Sequence, residues 1–407
     1  MPSSDQASLK RSVNLPMLIF YGLGNIFGAG IYVLIGKIAG IAGVYVPLSF
    51  LVACVVVFFT ALSYAELSSR FPLSAGEAVY IYEGFGSPIF SMGIGLLIAL
   101  AGLLSSATIL HGFHGYLSTF MALPEILTIL ILVVILSMIA IRGITQSMIF
   151  ACGLTLVEII GLGMVLYVGM GHIEPDKLSL ETMIPPLEFG VLSSIILGAF
   201  LAFFAFVGFE DMVNIAEEVE NPTKTMPHAI VIVLLVTTFF YIAIALVSIL
   251  VVAPERLADS SAPLAMVYET ATGKSTAVLS LIAMVAVING ALIQIIMASR
   301  IFYGMSRQNW LPGFLGRVNP KTHTPIAATI LSGVIVFVLA AFFEILTLAQ
   351  FSSFVIFIVF TSVNLSLILI KRKQPSPGDV RTYPLFVPVV AVMLNLVLLG
   401  FQIASVF

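Results

Sequence analysis

Four glycines stand within nine positions of the first long apolar segment, from Gly22 to Gly30. Each glycine inside a helix costs about 1 kcal/mol relative to alanine. In a membrane, N–H and C=O groups freed by a helix break find no water, so a break is tolerated only where it lines a protein cavity. We therefore interpret Gly28-Ala29-Gly30 as a break at mid-membrane depth. The N–H groups of the half-helix that follows are suited to binding a carboxylate.

The same glycines also have the small-xxx-small spacing that lets membrane helices pack closely. On this segment alone, helix packing and a ligand site are equally supported. A nucleotide-binding fingerprint is not indicated, because the spacing differs from G-x-G-x-x-G and no strand precedes it.

Carboxylates inside apolar segments are the second chemical signal. Phe206-Val207-Gly208-Phe209-Glu210-Asp211 places a glycine beside two carboxylates in the middle of a later segment, and Glu158 lies well inside another. Such groups mark substrate, ion or proton pathways. The structural alternatives are a permanently hydrogen-bonded carboxyl group for Glu158 and a gate latch for Glu210. We predict that Glu66, near the end of its segment, is a structural partner of Arg70 or Arg142.

The composition places these residues in a polytopic all-α membrane protein. Of 407 residues, 60% are hydrophobic and only 9% are charged, which a soluble domain of this size cannot accommodate. The lipid bilayer is therefore an expected partner, and the lack of a basic patch excludes nucleic acid. Cys54 and Cys152 lie in apolar segments and are predicted to be core residues. No histidine or cysteine pair has metal-site spacing, and no cofactor is expected.

The apolar runs predict about eleven transmembrane helices. The predicted spans are 13–41, 44–68, 88–112, 124–141, 146–170, 189–220, 227–252, 275–305, 325–342, 345–370 and 384–405. If the N-terminal segment 1–12 is cytoplasmic, thirteen of the 17 lysines and arginines lie on the inner side and four on the outer side. This positive-inside bias predicts a multi-pass protein of the cytoplasmic (plasma) membrane.

Two further segments are too polar to span. Arg70–Ser87 is predicted to be a re-entrant or interfacial piece on the inner side. Pro254–Gly273 is predicted to be an outer loop with a short helix at Ala262–Thr270.

The two glycine breaks lie in the first and sixth predicted spans. An offset of five spans reverses orientation in the membrane, so residues 13–170 and 189–370 are predicted to form an inverted repeat of five helices each. The eleventh helix, 384–405, is outside the repeat. Paired breaks that meet at the midplane favour a secondary transporter over plain helix packing.

Several motifs occur in an order that resembles the amino acid–polyamine–organocation (APC) superfamily of permeases. Gly28–Tyr32 resembles the G-S/A-G-I-F break, and Tyr64–Tyr80 resembles Y-A-E-L…P-x-x-G-G-x-Y. Phe206–Glu210 is similar to F-x-G-F/V-E, Glu217–Pro227 to E-E-x-x-N-P-x-x-x-x-P, and Arg300–Pro325 to the exit of the eighth span. The resemblance covers nearly the whole chain and implies a LeuT-like fold with helices 1 and 6 broken.

Two features depart from the superfamily pattern. Gln308-Asn309-Trp310 replaces an acidic–glycine turn. About eleven spans are predicted here, where twelve are commoner in the superfamily, which leaves open whether its oligomeric contacts apply.

The resemblance implies how an amino acid would be bound. N–H groups after the first break would hold the α-carboxylate, and carbonyls freed at both breaks would hold the α-ammonium. Either Phe204 or Phe206 would form an aromatic lid. The predicted substrate-binding residues are Ile26, Phe27, Gly28, Ala29, Gly30, Ile31, Phe204, Phe206, Val207 and Gly208.

The resemblance also bears on coupling. Proton-coupled or sodium-independent relatives often have a lysine in the part of the fifth span where this chain has an acidic residue. Glu158 is thus the first predicted proton-coupling residue, and Glu210 beside the second break is the other.

These observations predict a secondary active transporter that moves a neutral amino acid by alternating access, with proton symport. The alternatives are a sodium-independent exchanger, an amine or polyamine transporter that uses Glu210 and Asp211, and a non-transporting amino acid sensor. A channel is disfavoured by the paired breaks. An enzyme is disfavoured because the spans hold no nucleophile–base or metal constellation.

Overall fold

The computed structural model describes residues 11–118, 120–142, 144–173, 184–375, 377–378 and 380–406. Most of the predicted N-terminal segment 1–12 lies outside them. The first half of the chain forms α1 (Leu15–Ile26), α2 (Ala29–Tyr32), α3 (Leu34–Ala42), α4 (Val46–Arg70), α5 (Gly76–Phe85), α6 (Pro88–Leu117), α7 (Glu125–Ile141) and α8 (Ile144–Met170). The second half forms α9 (Phe189–Phe206), a 3₁₀ segment (Glu210–Glu218), α10 (Pro222–Val251), α11 (Pro254–Asp259), α12 (Pro263–Thr272), α13 (Ala277–Arg307), α14 (Ile326–Phe342), α15 (Ile345–Lys373) and α16 (Phe386–Val406).

The membrane-crossing elements confirm the predicted all-α fold. Within the described ranges, nine helical segments are long and apolar enough to cross a membrane. Two shorter apolar helices, α7 and α14, have 17 residues each, about the minimum for a tilted span. Counted together they agree with the predicted eleven, and most observed ends lie within a few residues of the predicted ones.

Local sequence accounts for several helix ends. The Asn14 side chain accepts a hydrogen bond from the N–H of Met17 at 3.0 Å, and Pro16 follows in the first turn of α1. A short polar cap with proline just inside the helix is the usual N-terminal arrangement. Gly86 ends α5 with a φ of 71°, a conformation that glycine adopts without steric cost.

The first predicted span is interrupted twice, which corrects the prediction of one break at Gly28–Gly30. α1 ends at Ile26, and Phe27 and Gly28 leave the helix. Ala29–Tyr32 then forms a single helical turn, and α3 begins only after Val33. The break therefore begins one residue earlier and ends two residues earlier than predicted, and Gly30 belongs to the turn that follows it.

The sixth predicted span is also two elements, because its second half is not α-helical. α9 ends at Phe206, and Gly208 has a φ of 133°. Beyond it, Glu210–Glu218 forms the 3₁₀ segment. The carboxylate of Glu210 accepts a hydrogen bond from the N–H of Gly208 at 2.8 Å, and side-chain bonds of this kind compete with a regular helix.

Packing brings both broken elements to the centre of the molecule. α1 packs against α8, α10 and α13, while α9 packs against α3 and α4. α6 is held between α13 and α15, and α16 lies on the outside against α15 and α4. The predicted short helix at Ala262–Thr270 is confirmed as α12, and the same loop also contains α11, which was not predicted.

Candidate functional site

The two helix breaks lie in direct contact. The side-chain amide of Asn25, at the end of α1, donates a hydrogen bond to the carbonyl oxygen of Gly208 at 2.8 Å. A Cβ atom on Gly30 would lie 2.3 Å from the Cα of Ala205 in α9, closer than any side chain allows. Glycine is thus required at position 30, because the backbones of α2 and α9 touch there.

A tyrosine hydroxyl joins carbonyl groups from both broken helices. Tyr241 in α10 places its hydroxyl oxygen 2.5 Å from the carbonyl oxygen of Ile26 and 2.7 Å from that of Ala205. A hydroxyl has one proton to donate, so it satisfies one of these acceptors fully at a time. The pair of carbonyls therefore keeps capacity for a further donor, such as an ammonium group.

A network of amides and carboxylates lies beside the breaks. The carboxylate of Asp211 accepts hydrogen bonds from the amide of Asn25 at 2.5 Å and from that of Gln294 in α13 at 2.6 Å. The Gln294 amide also donates to the side-chain oxygen of Asn25 at 3.1 Å. The Glu210 carboxylate accepts its bond from Gly208. Both carboxylates of Glu210 and Asp211, which we call the acidic pair, are therefore hydrogen-bonded to other groups of the protein.

A small cavity lies between the breaks. Its volume is about 10 Å³, which is room for about one water molecule. An amino acid therefore fits only after the surrounding helices move apart. The lining residues are Asn25, Ile26, Gly30, Ser105, Ile109, Phe204, Val207 and Gln294.

The two candidate lid phenylalanines have different surroundings. Phe204 lines the cavity. Phe206 instead packs against Phe50 and Tyr241, with ring centroids 6.4 Å and 5.1 Å away. Residues two apart on a helix point to nearly opposite faces, which is why only one of the pair faces the cavity.

The structure places the other predicted substrate-binding residues at or next to this cavity. Ile26, Gly30 and Val207 line it. Phe27 is buried against Phe240, with ring centroids 5.4 Å apart. Gly28, Ile31 and Gly208 are buried in the same region, and the side chain of Ala29 lies outside the described residues.

Glu158 lies at the contact between α8, α1 and α13, close to the first break. One carboxylate oxygen accepts a hydrogen bond from the amide of Asn289 at 2.8 Å. The other oxygen is buried without a partner among the described residues. The hydroxyl of Tyr32, just past the break, donates to the backbone carbonyl of Glu158 at 3.0 Å. The carboxyl group of Glu158 is therefore bound to α13, and the backbone of the same residue is bound to the turn that follows the first break.

The site is closed more tightly on the predicted inner side than on the outer side. Just before α1, Val13 exchanges backbone hydrogen bonds with Glu218 at 3.0 Å and Glu220 at 2.8 Å, and Arg300 approaches the Glu218 carboxylate at 3.4 Å. On the other side, a cavity of about 700 Å³ opens beside Val33, next to α2. We call this the outer cavity. The contacts of Val13 and Arg300 therefore lie on one side of the breaks, and the outer cavity lies on the other.

The prediction that Glu66 is a structural partner of Arg70 is confirmed. This contact lies at the same end of the molecule as the contacts of Val13 and Arg300. Its carboxylate contacts Arg70 at 2.7 Å and Lys371 of α15 at 2.6 Å. It also accepts a hydrogen bond from the N–H of Tyr383 at 2.8 Å. This cluster joins α4, α15 and the segment before α16.

Sequence reasoning did not single out Asn25, Tyr241 or Gln294. Asn25 stands within the glycine-rich stretch itself, and Gln294 is an amide in the middle of a 31-residue helix. An amide side chain inside a membrane span indicates a functional site less strongly than a charged one does. Asn25 and Gln294 could nevertheless have been noted from the sequence. Tyr241 is one of 12 tyrosines and has no local feature that distinguishes it.

Comparisons with known proteins show the family of this chain. The model of the family described as amino acid permease matches residues 14–407. The chain is 28% identical to the methylthioribose transporter of Bacillus subtilis, over 96% of this chain and 87% of that protein. It is also 28% identical to the branched-chain amino acid permease BcaP of the same organism, over 92% of this chain and 83% of that protein.

A solved structure has the same fold at low identity. A Na⁺-coupled sialic acid symporter in a substrate-bound, outward-open state superimposes with a TM-score of 0.64 and 13% identity. The match covers 98% of this chain and 90% of that chain. The LeuT-like fold is therefore confirmed, and the match to the family model shows that this chain belongs to the amino acid permease family of transporters in the APC superfamily.

Proposed function

We propose that this chain is a secondary active transporter of a neutral amino acid, that it works by alternating access, and that it is coupled to protons. The single observation that carries the proposal is the contact between the two helix breaks, through Asn25 and Gly208 and through Gly30 and Ala205. The N-terminal end of α2 and the C-terminal ends of α1 and α9 meet there at one small cavity.

The backbone groups provide both halves of an amino acid site. The first turn of a helix leaves N–H groups without intrahelical acceptors, so those of residues 29–31 would hold the α-carboxylate. The carbonyls of Ile26 and Ala205 would accept hydrogen bonds from the α-ammonium group. The ammonium would either displace the Tyr241 hydroxyl from these carbonyls or bind beside it. We assign the substrate side chain to the apolar wall formed by Ile109 and Phe204.

A neutral substrate is favoured over an amine or polyamine. A cationic side chain or polyamine needs a free carboxylate in the cavity, but Asp211 already accepts bonds from Asn25 and Gln294, and Glu210 accepts one from Gly208. The names of the relatives do not separate the two classes, because one is named for branched-chain amino acids and three others, 27–30% identical, for cationic amino acids.

Proton coupling is assigned first to Glu158. A carboxyl group that is fully buried with one unpartnered oxygen is costly as an anion. It is more stable with a proton. Its carboxyl group contacts Asn289, and its backbone carbonyl accepts a bond from Tyr32 beside the first break, so we infer that its protonation state affects the substrate site. Glu210, with one oxygen also unpartnered among the described residues, is the second candidate.

The membrane topology follows from the sequence. We propose a cytoplasmic N-terminus in the plasma membrane, with residues 13–170 and 189–370 as inverted repeats and α16 outside them. The tight closure around Glu218 then faces the cytoplasm, and the outer cavity faces the exterior.

Uptake into liposomes tests the proposal. Purified protein would be reconstituted, and a panel of radiolabelled neutral, cationic and acidic amino acids and polyamines would be offered with and without an inward proton gradient. We expect accumulation of one or more neutral amino acids that the gradient increases. Uptake that ignores the gradient but requires internal amino acid would make the protein an exchanger. Preference for a polyamine, or binding without uptake, would contradict the assigned function.

A further inference from the structure

A third buried carboxyl group lies away from the substrate cavity, on α5. The side chain of Glu77 is 0% exposed, and neither of its oxygens has a hydrogen-bond partner among the described residues. Burying a carboxylate without a partner is costly, so such a group is neutral or exchanges a proton with its surroundings. No step of the proposed transport mechanism yet uses Glu77.

Glu77 faces polar groups from two other elements. The Tyr64 hydroxyl of α4 and the Asn214 side chain of the 3₁₀ segment lie close to its carboxyl group. The side-chain oxygen of Asn214 accepts a hydrogen bond from the N–H of Gly76 at 3.1 Å, which fixes α5 to the segment after the second break. Glu77 is therefore held against the element that begins with Glu210.

The Tyr64 ring packs against Tyr80 of α5 and against Phe209, next to the acidic pair, with ring centroids 6.3 Å and 5.5 Å away. Its hydroxyl has no hydrogen-bond partner among the described residues, and the ionisable groups around it are Glu77, Tyr80, Glu210 and Asp211. A tyrosine hydroxyl both donates and accepts hydrogen bonds. It is therefore suited to pass a proton from one carboxyl group to the next.

Electrostatics favours a shared proton in this cluster. Among the described residues, no ion pair joins a cation to Glu77, Glu210 or Asp211. The cations of the neighbouring elements have other partners: Lys373 of α15 bonds the carbonyls of Glu83 and Gly84, and Arg300 of α13 approaches Glu218. Three buried carboxyl groups without a cation cannot all be ionised, so they titrate as a coupled set. α5 lies outside the membrane-crossing segments, and burial, reinforced by the charge of Asp211, raises the pKa of Glu77 to about 8.

We propose that Glu77 is a proton-binding site between the substrate site and the predicted inner surface, reached from the Glu210–Asp211 pair through Tyr64. This proposal rests on the proton coupling proposed above. In the transfer, the O–H bond of the donor carboxyl breaks as the Tyr64 oxygen takes its proton, and the original Tyr64 proton binds the Glu77 carboxylate. Tyr64 ends unchanged, and the negative charge moves from Glu77 to the pair. Glu77 releases the proton to water when the inner side opens.

Infrared difference spectroscopy tests the site without relying on transport. Spectra of the purified protein at pH about 6 and about 10 bracket the expected midpoint near 8. We expect a protonated-carboxyl band in the wild type that is lost in Glu77→Gln and kept in Glu83→Gln, an exposed glutamate of the same helix. Glu77→Asp keeps a carboxyl group and should show the band with a shifted midpoint. A band that persists unchanged in Glu77→Gln would overturn the proposal.

Liposome assays then separate the role of Glu77 from the coupling itself. We expect Glu77→Gln to lower the ratio of gradient-driven accumulation to exchange, while Glu83→Gln leaves that ratio as in the wild type. An unchanged ratio in Glu77→Gln would overturn the relay role. If uptake by the wild type does not depend on the proton gradient, both the proton coupling and the relay are overturned. The infrared band would still decide whether Glu77 holds a proton. A band that responds to Na⁺ at constant pH would show a cation site instead and contradict the proposal.

Discussion

The side-chain amide of Asn25 donates a hydrogen bond to the carbonyl oxygen of Gly208, and this 2.8 Å contact joins the first helix break to the second. The same amide contacts Asp211 at 2.5 Å. One side chain therefore holds the two breaks at a fixed spacing, and the small cavity lies where they meet.

Replacing Asn25 by aspartate tests this junction, because the shape is kept and the donor is lost. The new carboxylate would face the Gly208 carbonyl and Asp211, both acceptors. We expect a loss of about 1–3 kcal/mol for the unsatisfied buried groups and a strong fall in uptake. Asn14→Asp is the matched control, since aspartate also serves as an N-cap. Equal uptake by both variants would show that the junction is not needed.

The Tyr241 hydroxyl competes with the substrate ammonium in the proposed site. Tyr241→Phe leaves the carbonyls of Ile26 and Ala205 without this donor, so the empty protein should lose about 1–3 kcal/mol of stability. Substrate should then raise the unfolding temperature more in the variant than in the wild type, because it supplies the missing donor. Thermal unfolding with and without substrate measures both effects. A smaller substrate effect in the variant would mean that the hydroxyl itself binds the substrate.

Glu158→Gln tests the first assigned proton site. The amide oxygen of glutamine can still accept the hydrogen bond from Asn289, now 2.8 Å long, so the fold should survive. We expect accumulation in a proton gradient to fall relative to exchange, and the dependence of uptake on external pH to flatten. Glu188→Gln, exposed before α9, is the control. An unchanged ratio would reduce Glu158 to a structural carboxyl group.

The cluster around Glu66 is expected to stabilise the fold. Glu66→Gln would leave Arg70 and Lys371 as buried cations without their shared carboxylate. Removing one partner from a buried ionic contact costs about 3–5 kcal/mol. Thermal unfolding in detergent should therefore show a clear fall for Glu66→Gln and none for the exposed Glu83→Gln. Matching unfolding temperatures for the two variants would contradict a stabilising role.

The sequence predicted the helices and the positions of the breaks better than the side chains around them. Hydropathy reports burial over a whole span, so the ends of α7 and α14 fell within about two residues of the prediction. The 3₁₀ segment after Gly208 was missed, because it depends on side-chain contacts such as those of Glu210 and Asn214 with neighbouring backbone.

Local sequence patterns could not predict the contacts between residues that are far apart in the chain. Tyr241 lies 215 positions from Ile26 and Gln294 lies 269 positions from Asn25, and no periodicity links such pairs. Phe204 and Phe206 were equivalent in sequence and became distinguishable only when the face of α9 was known. The motifs indicated the position of the main breaks to within about two residues, whereas tertiary packing decides which side chains reach them.

Equilibrium binding to two glycine variants tests the central claim that the substrate lies between the breaks. A Cβ atom on Gly30 would lie 2.3 Å from the Cα of Ala205, whereas one on Gly28 has its nearest contact at 3.7 Å. The experiment would use the amino acid that the liposome panel identifies, with purified wild type, Gly28→Ala and Gly30→Ala, each checked for folding by circular dichroism. We predict near-normal binding to Gly28→Ala and a Kd at least about tenfold higher for folded Gly30→Ala. Normal binding to folded Gly30→Ala would contradict a substrate site at the paired breaks.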